Sequence, residues 1–218
     1  MQRLALFDLD RTLIDLDAAF LLWAEEFAEE HGLGRRAVAH LIKLDRSAVP
    51  HRELFFTKVC ERFDLPISAE KLWAVYRRRM PRLVQCYPGA LDDLAALRAD
   101  GWLVGIVTNG TADNQLGKIK HTGLLDVVDG YALSGAEGVR KPDTALFEIA
   151  AQRCGAGLSE GGWMVGDNLV ADIGGGRAAG LRTIWINPAP RHSHEHQADH
   201  VAGSIEDAIR VIRHEAGP

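Results

Sequence analysis

Short apolar runs alternate with helical patterns along much of this chain. Four runs rich in Val, Ile, Leu and Trp occupy residues 4–7, 102–107, 162–165 and 181–186. Within each run, apolar and polar positions hardly alternate, which is typical of strands buried on both faces of a sheet. We therefore predict that these four runs form a parallel sheet covered by helices on both sides.

The segments between the later runs have helical spacing and suitable helix ends. Residues 90–99 carry leucines along one face. Residues 143–154 begin with Asp143, a favourable N-cap, and residues 171–179 end just before Gly180. Strand–helix–strand repetition predicts an α/β fold with a Rossmann-like parallel sheet as its core.

The segment 15–87 departs from this alternation, because it contains helical patterns and no clear strand. Phe20, Trp23 and Phe27 share one helix face, and Ser68 is a favourable N-cap for a later helix. The segment is long enough to be a domain of its own. We predict two domains, an α/β core of residues 1–14 and 88–218 and an inserted all-α domain of residues 15–87.

Composition and charge exclude several classes of function. The 218 residues are 47% hydrophobic and carry a formal net charge of −5, which disfavours nucleic acid as a partner. No apolar stretch approaches the ~18 residues of a membrane span, and the apolar run near the N-terminus is too short for a secretory signal. Three scattered cysteines suggest free thiols in a reducing compartment. We expect a cytoplasmic protein with no nucleic-acid or membrane partner.

Acidic side chains follow the first and third predicted strands. Asp8 and Asp10 come directly after the first run, and Asp167 and Asp172 follow the third. Ligands of parallel α/β sheets bind beyond the carboxyl ends of the strands, so these side chains are expected to face a common site. Neighbouring carboxylates repel unless a cation lies between them, and oxygen ligands suit Mg²⁺. Each acid alone is also compatible with an ordinary turn or with the first turn of a helix.

Two further features suit the binding of an anion. Thr108, Asn109 and Gly110 follow the second run and offer a hydroxyl group and turn amides. Lys141 precedes Pro142 at the start of a predicted helix, where the helix dipole disfavours a cation unless an anion accompanies it. Alternatively, residues 108–110 are only a strand-to-helix turn capped by Thr111, and Lys141 is only a solvated lysine.

Taken in order, these motifs resemble those of the haloacid dehalogenase (HAD) superfamily. The sequence has Asp-x-Asp-x-Thr from Asp8, then Thr-Asn at Thr108, Lys-Pro at Lys141, and Gly-Asp with a second aspartate at Asp172. The similarity is to the phosphatase branch, and the insertion after the first motif resembles that branch's α-helical cap domain.

The resemblance implies how the acids act. Asp8 is implied to be the nucleophile that forms an aspartyl-phosphate, and Asp10 to be the general acid and then the general base. Mg²⁺ is implied to be held by Asp8, by the backbone carbonyl of Asp10 and by Asp167.

The resemblance also implies a phosphate-binding set. Thr108 and Lys141 would bind phosphoryl oxygens, and Asn109 would orient the nucleophile or the substrate. Asp172 would steady Lys141 or a metal-bound water without contacting the substrate, and Thr12 would act in a similarly indirect way. The expected activity is Mg²⁺-dependent hydrolysis of a small phosphorylated metabolite, a phosphate monoester, with the substrate and the oligomeric state left open.

Three alternative functions are compatible with this fold. A sugar phosphomutase of the same superfamily shares every core residue. A haloacid dehalogenase characteristically lacks the second acid of the first motif, which is present here as Asp10. A non-catalytic binding protein with this fold would be expected to have lost one of the acids.

Two features lie outside the motifs. Arg11 stands where the family often has glycine, and we expect its side chain to point to solvent, the alternative being that it adds positive charge near the site. His192, His194 and His196 alternate in a tract that we expect to be a solvated loop rather than a metal site.

Overall fold

The computed structural model describes residues 3–47, 52–188 and 197–215. The chain divides into two compact units, one formed by Met1–Asp15 with Gln85–Pro218 and the other by Leu16–Val84. We call them the sheet unit and the helical unit. Their boundaries lie within three residues of the positions expected from the sequence.

The sheet unit is built on a parallel sheet in the order β3-β2-β1-β4-β5-β6. The strands are β1 Leu4–Phe7, β2 Leu103–Thr108, β3 Gly130–Leu133, β4 Trp163–Gly166, β5 Arg182–Ile186 and β6 His200–Ala202. At the centre, Leu6 of β1 lies between Gly105 of β2 and Met164 of β4. The predicted α/β fold with a Rossmann-like parallel sheet is confirmed.

The helices, in chain order, are α1 Leu16–Glu30, α2 Arg35–Arg46, α3 Arg52–Phe63, α4 Ala69–Arg79, α5 Ala90–Ala99, α6 Ala112–His121, α7 Ser134–Glu137, α8 Thr144–Arg153, α9 Gly175–Ala178 and α10 Ile205–Glu215. None of the helices in the described part of the chain has the length and apolar character needed to cross a membrane.

The sequence did not predict β3 and β6. Both are edge strands of three or four residues, each paired with a single neighbour. One side of an edge strand is unpaired, so its sequence does not need the continuous apolar run of a central strand. Gly130 and Tyr131 in β3 and His200 in β6 illustrate this weaker pattern.

The core beside the site is packed by α8. Leu146, Phe147 and Ala150 on one face of this helix are fully buried in a cluster with Leu6 and Met164 of the central strands. As expected, Asp143 is the N-cap of α8, and its Oδ1 accepts a 3.0 Å hydrogen bond from the Ala145 amide. This cap and the buried stripe fix the start of α8, and therefore the segment just before it.

The helical unit contains helices and no strand among its described residues. Phe20, Trp23 and Phe27 of α1 are buried, and the Trp23 ring lies 4.9 Å from that of Tyr76 in α4. Ser68 caps α4 by accepting a hydrogen bond from the Lys71 amide at 3.3 Å. The unit therefore has an aromatic core of its own.

The edge strand β3 also generates a stability prediction. A Cβ atom on Gly130 would lie 2.7 Å from the backbone carbon of Arg153 at the end of α8, closer than side chains tolerate. Gly130→Ala should therefore lower the free energy of unfolding by about 1–3 kcal/mol, measured by urea denaturation.

Gly157→Ala is the matched control. The nearest atom to its added Cβ is 3.8 Å away, and its φ of −128° suits any residue. This variant should match or slightly exceed the stability of the wild type. Equal stability of the two variants would contradict the packing argument.

Candidate active site

The candidate site lies at the carboxyl ends of three adjacent strands in the middle of the sheet. Asp8 follows β1, Thr108 ends β2 and Asp167 follows β4. Because β1 pairs with both β2 and β4, their ends meet along one edge of the sheet. The Asp8 amide donates a 2.8 Å hydrogen bond to the carbonyl of Val165, which anchors the acid to β4.

Lys141 lies at the centre of this arrangement. Its Nζ is 2.6 Å from Asp8 Oδ1 and 2.7 Å from Asp172 Oδ1, and it donates a 2.6 Å hydrogen bond to the carbonyl of Val107. Burial alone would lower the pKa of Lys141, but the two carboxylates outweigh it and raise that pKa, so the ammonium stays charged. The expectation that Lys141 needs an anionic partner is met by two aspartates.

The turn after β4 holds Asp172 in place. Where the sequence predicted a helix over residues 171–179, the chain forms a π-helical turn, Leu169–Gly174, before α9. Asn168 Oδ1 accepts hydrogen bonds from the amides of Val170 and Ala171, and Asp172 Oδ2 accepts one from the Asn168 amide at 2.9 Å. The wider turn directs Asp172 back toward Lys141.

Gly166 makes this approach possible. A Cβ atom at Gly166 would collide with the carboxylate of Asp172, so the last residue of β4 has to lack a side chain. The glycine of the Gly-Asp motif is therefore a packing requirement of Asp172.

Three carboxylates converge beside Lys141. Asp8, Asp167 and Asp172 each offer an oxygen within 4.8 Å of the others. Burial raises the pKa of Asp8 to about 8 despite the neighbouring Lys141, and Asp172 and Asp167 add to the increase. Burial, with Asp172 nearby, also raises the pKa of Asp167 to about 6. One ammonium does not balance three carboxylates, and an excess of buried carboxylate oxygens suits a hard divalent cation such as Mg²⁺.

The carboxylate of Asp10 lies in a different environment. Lys118 Nζ is 2.7 Å from Asp10 Oδ1 and 2.9 Å from Oδ2, and Gln115 Nε2 donates to Oδ2 at 3.1 Å. Burial acts to raise the pKa of Asp10, but Lys118 and Gln115 outweigh it and lower that pKa. The two acids of the first motif therefore have opposite pKa shifts, although they are two residues apart.

The remaining predicted residues are also brought to this edge. Thr108 Oγ1 accepts a 2.7 Å hydrogen bond from Gln115, and Thr12 Oγ1 lies 3.4 Å from Asp8 Oδ2. Asn109 donates to the carbonyl of Lys141 at 3.0 Å and accepts from the Lys141 amide at 2.9 Å. The Asn109 side chain thus holds the backbone of Lys141.

Sequence reasoning missed Lys118 and Gln115. Both lie on α6, where three polar residues, Asn114, Gln115 and Lys118, occupy buried positions. A buried helix face normally carries apolar residues. Polar residues at these helically spaced positions, in the helix directly after Thr108 and Asn109, were the available signal.

Arg11 lies close enough to influence the site, and the expectation for the histidine tract is untested. Arg11 is only half-buried, but its charge lowers the pKa of both Asp10 and Asp167, which places it beside the site. Its φ of +63° is in the left-handed region that favours glycine, which accounts for the glycine often found at this position. His192, His194 and His196 lie outside the described residues.

Comparison with known proteins agrees with this geometry. Residues 5–186 match the family model described as haloacid dehalogenase-like hydrolase. The chain belongs to this family. A ribulose-1,5-bisphosphate 5-phosphatase from Halopiger xanaduensis is 33% identical to it, with an alignment that covers 97% of this chain and all of that protein.

Solved structures of a phosphatase and of a dehalogenase both resemble this chain. The crystal structure of a HAD phosphatase from Thermococcus onnurineus is 26% identical, covers 97% of this chain and 98% of its own, and has a TM-score of 0.68. A 2-haloacid dehalogenase from Pseudomonas syringae pv. Tomato is also 26% identical, covers 99% and 100%, and has a TM-score of 0.64. Overall similarity therefore does not distinguish a phosphatase from a dehalogenase. The distinction has to come from the residues of the site.

The raised pKa values of the acidic cluster predict how a metal ion would bind. Below about pH 8 the metal-free Asp8 carries a proton, and below about pH 6 so does Asp167. Mg²⁺ binding requires the carboxylates, so its affinity should fall about tenfold for each pH unit below 8. Calorimetric titration with Mg²⁺ at pH 6, 7 and 8 measures this dependence.

The control for this experiment is Asp8→Asn. The variant lacks the group with the higher pKa, so it should bind Mg²⁺ more weakly and show a shallower dependence on pH. An affinity that does not change between pH 6 and pH 8 in the wild type would contradict the assignment.

Proposed function

We propose that this protein is a Mg²⁺-dependent phosphatase that hydrolyses a small phosphate monoester through an aspartyl-phosphate on Asp8. The observation that carries the proposal is the buried contact of Asp8 with Lys141, together with a second acid, Asp10, two residues away. A phosphate monoester needs both a nucleophile and a group that protonates the departing oxygen.

The first step transfers the phosphoryl group to the enzyme. A carboxylate oxygen of Asp8 attacks phosphorus, and the bond between phosphorus and the ester oxygen breaks. Asp10, in its protonated form, gives its proton to that oxygen, so that the alcohol leaves as a neutral molecule and Asp10 becomes a carboxylate.

The second step returns the enzyme to its starting state. Water attacks phosphorus, Asp10 takes a proton from that water, and the bond between phosphorus and Asp8 breaks. Inorganic phosphate leaves, Asp8 is again a carboxylate and Asp10 is again protonated.

Positive charge and hydrogen-bond donors steady the phosphoryl oxygens in both steps. We assign this role to the ammonium of Lys141 and the hydroxyl of Thr108, with Asn109 fixing the backbone of Lys141. Phosphoryl transfer depends mainly on positioning and charge neutralisation, which these groups are suited to provide. Asp172 acts through its ion pair with Lys141, and Thr12 through its contact with Asp8.

The donor set fits a divalent metal ion. Asp8 and Asp167 contribute carboxylates that lie close together, and we assign the backbone carbonyl of Asp10 as a third ligand. The oxygens of Asp172 are already engaged by Lys141 and the Asn168 amide. When bound, Mg²⁺ supplies positive charge that offsets the repulsion between the phosphoryl group and the Asp8 carboxylate.

Asp10 separates this activity from dehalogenation. A halide leaves without a proton, so a dehalogenase has no need of a second acid held by Lys118 and Gln115. The acids present here also argue against a non-catalytic binding protein. We further propose that the helical unit serves as the cap that selects the substrate, since it is inserted directly after the first motif.

We place the activity in the cytoplasm. The three cysteines, Cys60, Cys86 and Cys154, are all unpaired, which is typical of proteins in a reducing compartment.

Replacing the nucleophile tests the mechanism. Asp8→Asn keeps the size of the side chain and removes its nucleophilic oxygen pair, so release of inorganic phosphate from phosphate monoesters should fall at least about a thousandfold. The control is Asp92→Asn on the exposed surface of α5, which should leave the rate unchanged. Retained activity of Asp8→Asn would refute the aspartyl-phosphate.

A panel of sugar phosphates separates hydrolysis from isomerisation. We expect one equivalent of free phosphate and one of dephosphorylated sugar from each substrate that reacts, because water completes the second step. Phosphate assay and chromatography of the sugar products measure both. Accumulation of an isomeric sugar phosphate without free phosphate would instead identify a phosphomutase.

A further inference from the structure

Lys118 and Gln115 are two buried polar residues on α6 that both contact Asp10. They are three residues apart, so they project from the same face of the helix. The side chain of Lys118 is 3% exposed, and within the described chain its ammonium has both oxygens of Asp10 as hydrogen-bond acceptors. Gln115 is equally buried.

This pair is difficult to explain as a device for stability. Burying an ammonium and a carboxylate costs several kcal/mol of solvation for each ion, and replacing such pairs by apolar residues is often neutral or stabilising. Position 118 is itself buried, so a methionine there would suit a buried helix face. The placement of a charge here therefore points to a role in the site.

Gln115 connects Asp10 to the end of β2. Its Nε2 donates to Asp10 Oδ2 at 3.1 Å and to Thr108 Oγ1 at 2.7 Å. Because Thr108 accepts this bond, its own hydroxyl hydrogen is available for another acceptor. Gly110 leaves room for this, since a Cβ there would lie 2.8 Å from the Gln115 side chain.

We propose that Lys118, assisted by Gln115, is a positioning residue that fixes the Asp10 carboxyl group for proton transfer to the leaving oxygen. Contacts to both oxygens fix the orientation of the carboxyl plane, which a single hydrogen bond would not. The inference rests on the proposed phosphatase activity.

The test compares substrates that differ in their need for a proton. An alkyl phosphate has a poor leaving group and depends on the general acid, whereas p-nitrophenyl phosphate has a good one and hardly does. The measured quantity is kcat/KM, because it covers the steps up to departure of the alcohol and excludes hydrolysis of the intermediate.

Lys118→Met removes the charge and keeps the length of the side chain. Its kcat/KM should fall about a hundredfold or more for the alkyl phosphate and less than about fivefold for p-nitrophenyl phosphate. Asp10→Asn should show the same selectivity, and adding Lys118→Met to it should cause little further loss, because both changes remove one function. Lys118→Arg should recover part of the loss.

Lys120→Met is the matched control. This lysine lies on the same helix but is exposed, so both values of kcat/KM should stay at the wild-type level. If Lys118→Met does not fold, as judged by circular dichroism, Gln115→Met decides the question by the same selectivity between the two substrates.

An equal loss of kcat/KM on both substrates would overturn the positioning role and leave Lys118 a structural residue. The phosphatase activity itself would be unaffected by that result. A wild-type protein that releases phosphate from neither substrate would instead refute the proposed function, and the positioning role with it.

Discussion

The buried ammonium of Lys141 between Asp8 and Asp172 is the interaction on which the rest of the site depends. An isolated charge in this position would lose several kcal/mol of solvation, so each of the three groups is tolerated only because the other two are present. The chain supplies them from the end of β1, the segment before α8 and the turn after β4. The sheet order, with β1 between β2 and β4, brings these distant segments together.

The same site gives two neighbouring acids opposite properties. Asp8 shares its surroundings with two other carboxylates, and burial raises its pKa, whereas the ammonium of Lys118 lowers the pKa of Asp10. The raised pKa of Asp8 means that a bound cation is needed to hold it as the attacking carboxylate, whereas Lys118 favours the carboxylate form of Asp10, the form that takes a proton from water in the second step. This separation depends on α6, which lies outside the motifs that resemble the family.

The central fold and most of the site were predictable from the sequence, because both leave local signals. Strands β1, β2, β4 and β5 are runs rich in apolar residues, and the acids of the site directly follow β1 and β4. The edge strands β3 and β6 lack that signal, since each is short and paired on one side only. Lys118 and Gln115 can be recognised only once the structure shows that they lie on the buried face of α6. The position of Arg11 depends on a left-handed backbone conformation that its residue type does not suggest.

The paired hydrogen bonds between Asn109 and the backbone of Lys141 have a consequence for selectivity. They join the end of β2 to the segment before α8. The two groups proposed to bind phosphate, Thr108 and Lys141, are therefore held at a fixed spacing. A fixed spacing selects for the size of the phosphoryl group and is insensitive to the alcohol that carries it. The sheet unit would thus recognise the phosphoryl group, which all phosphate monoesters share. Residues elsewhere in the chain would have to distinguish one substrate from another.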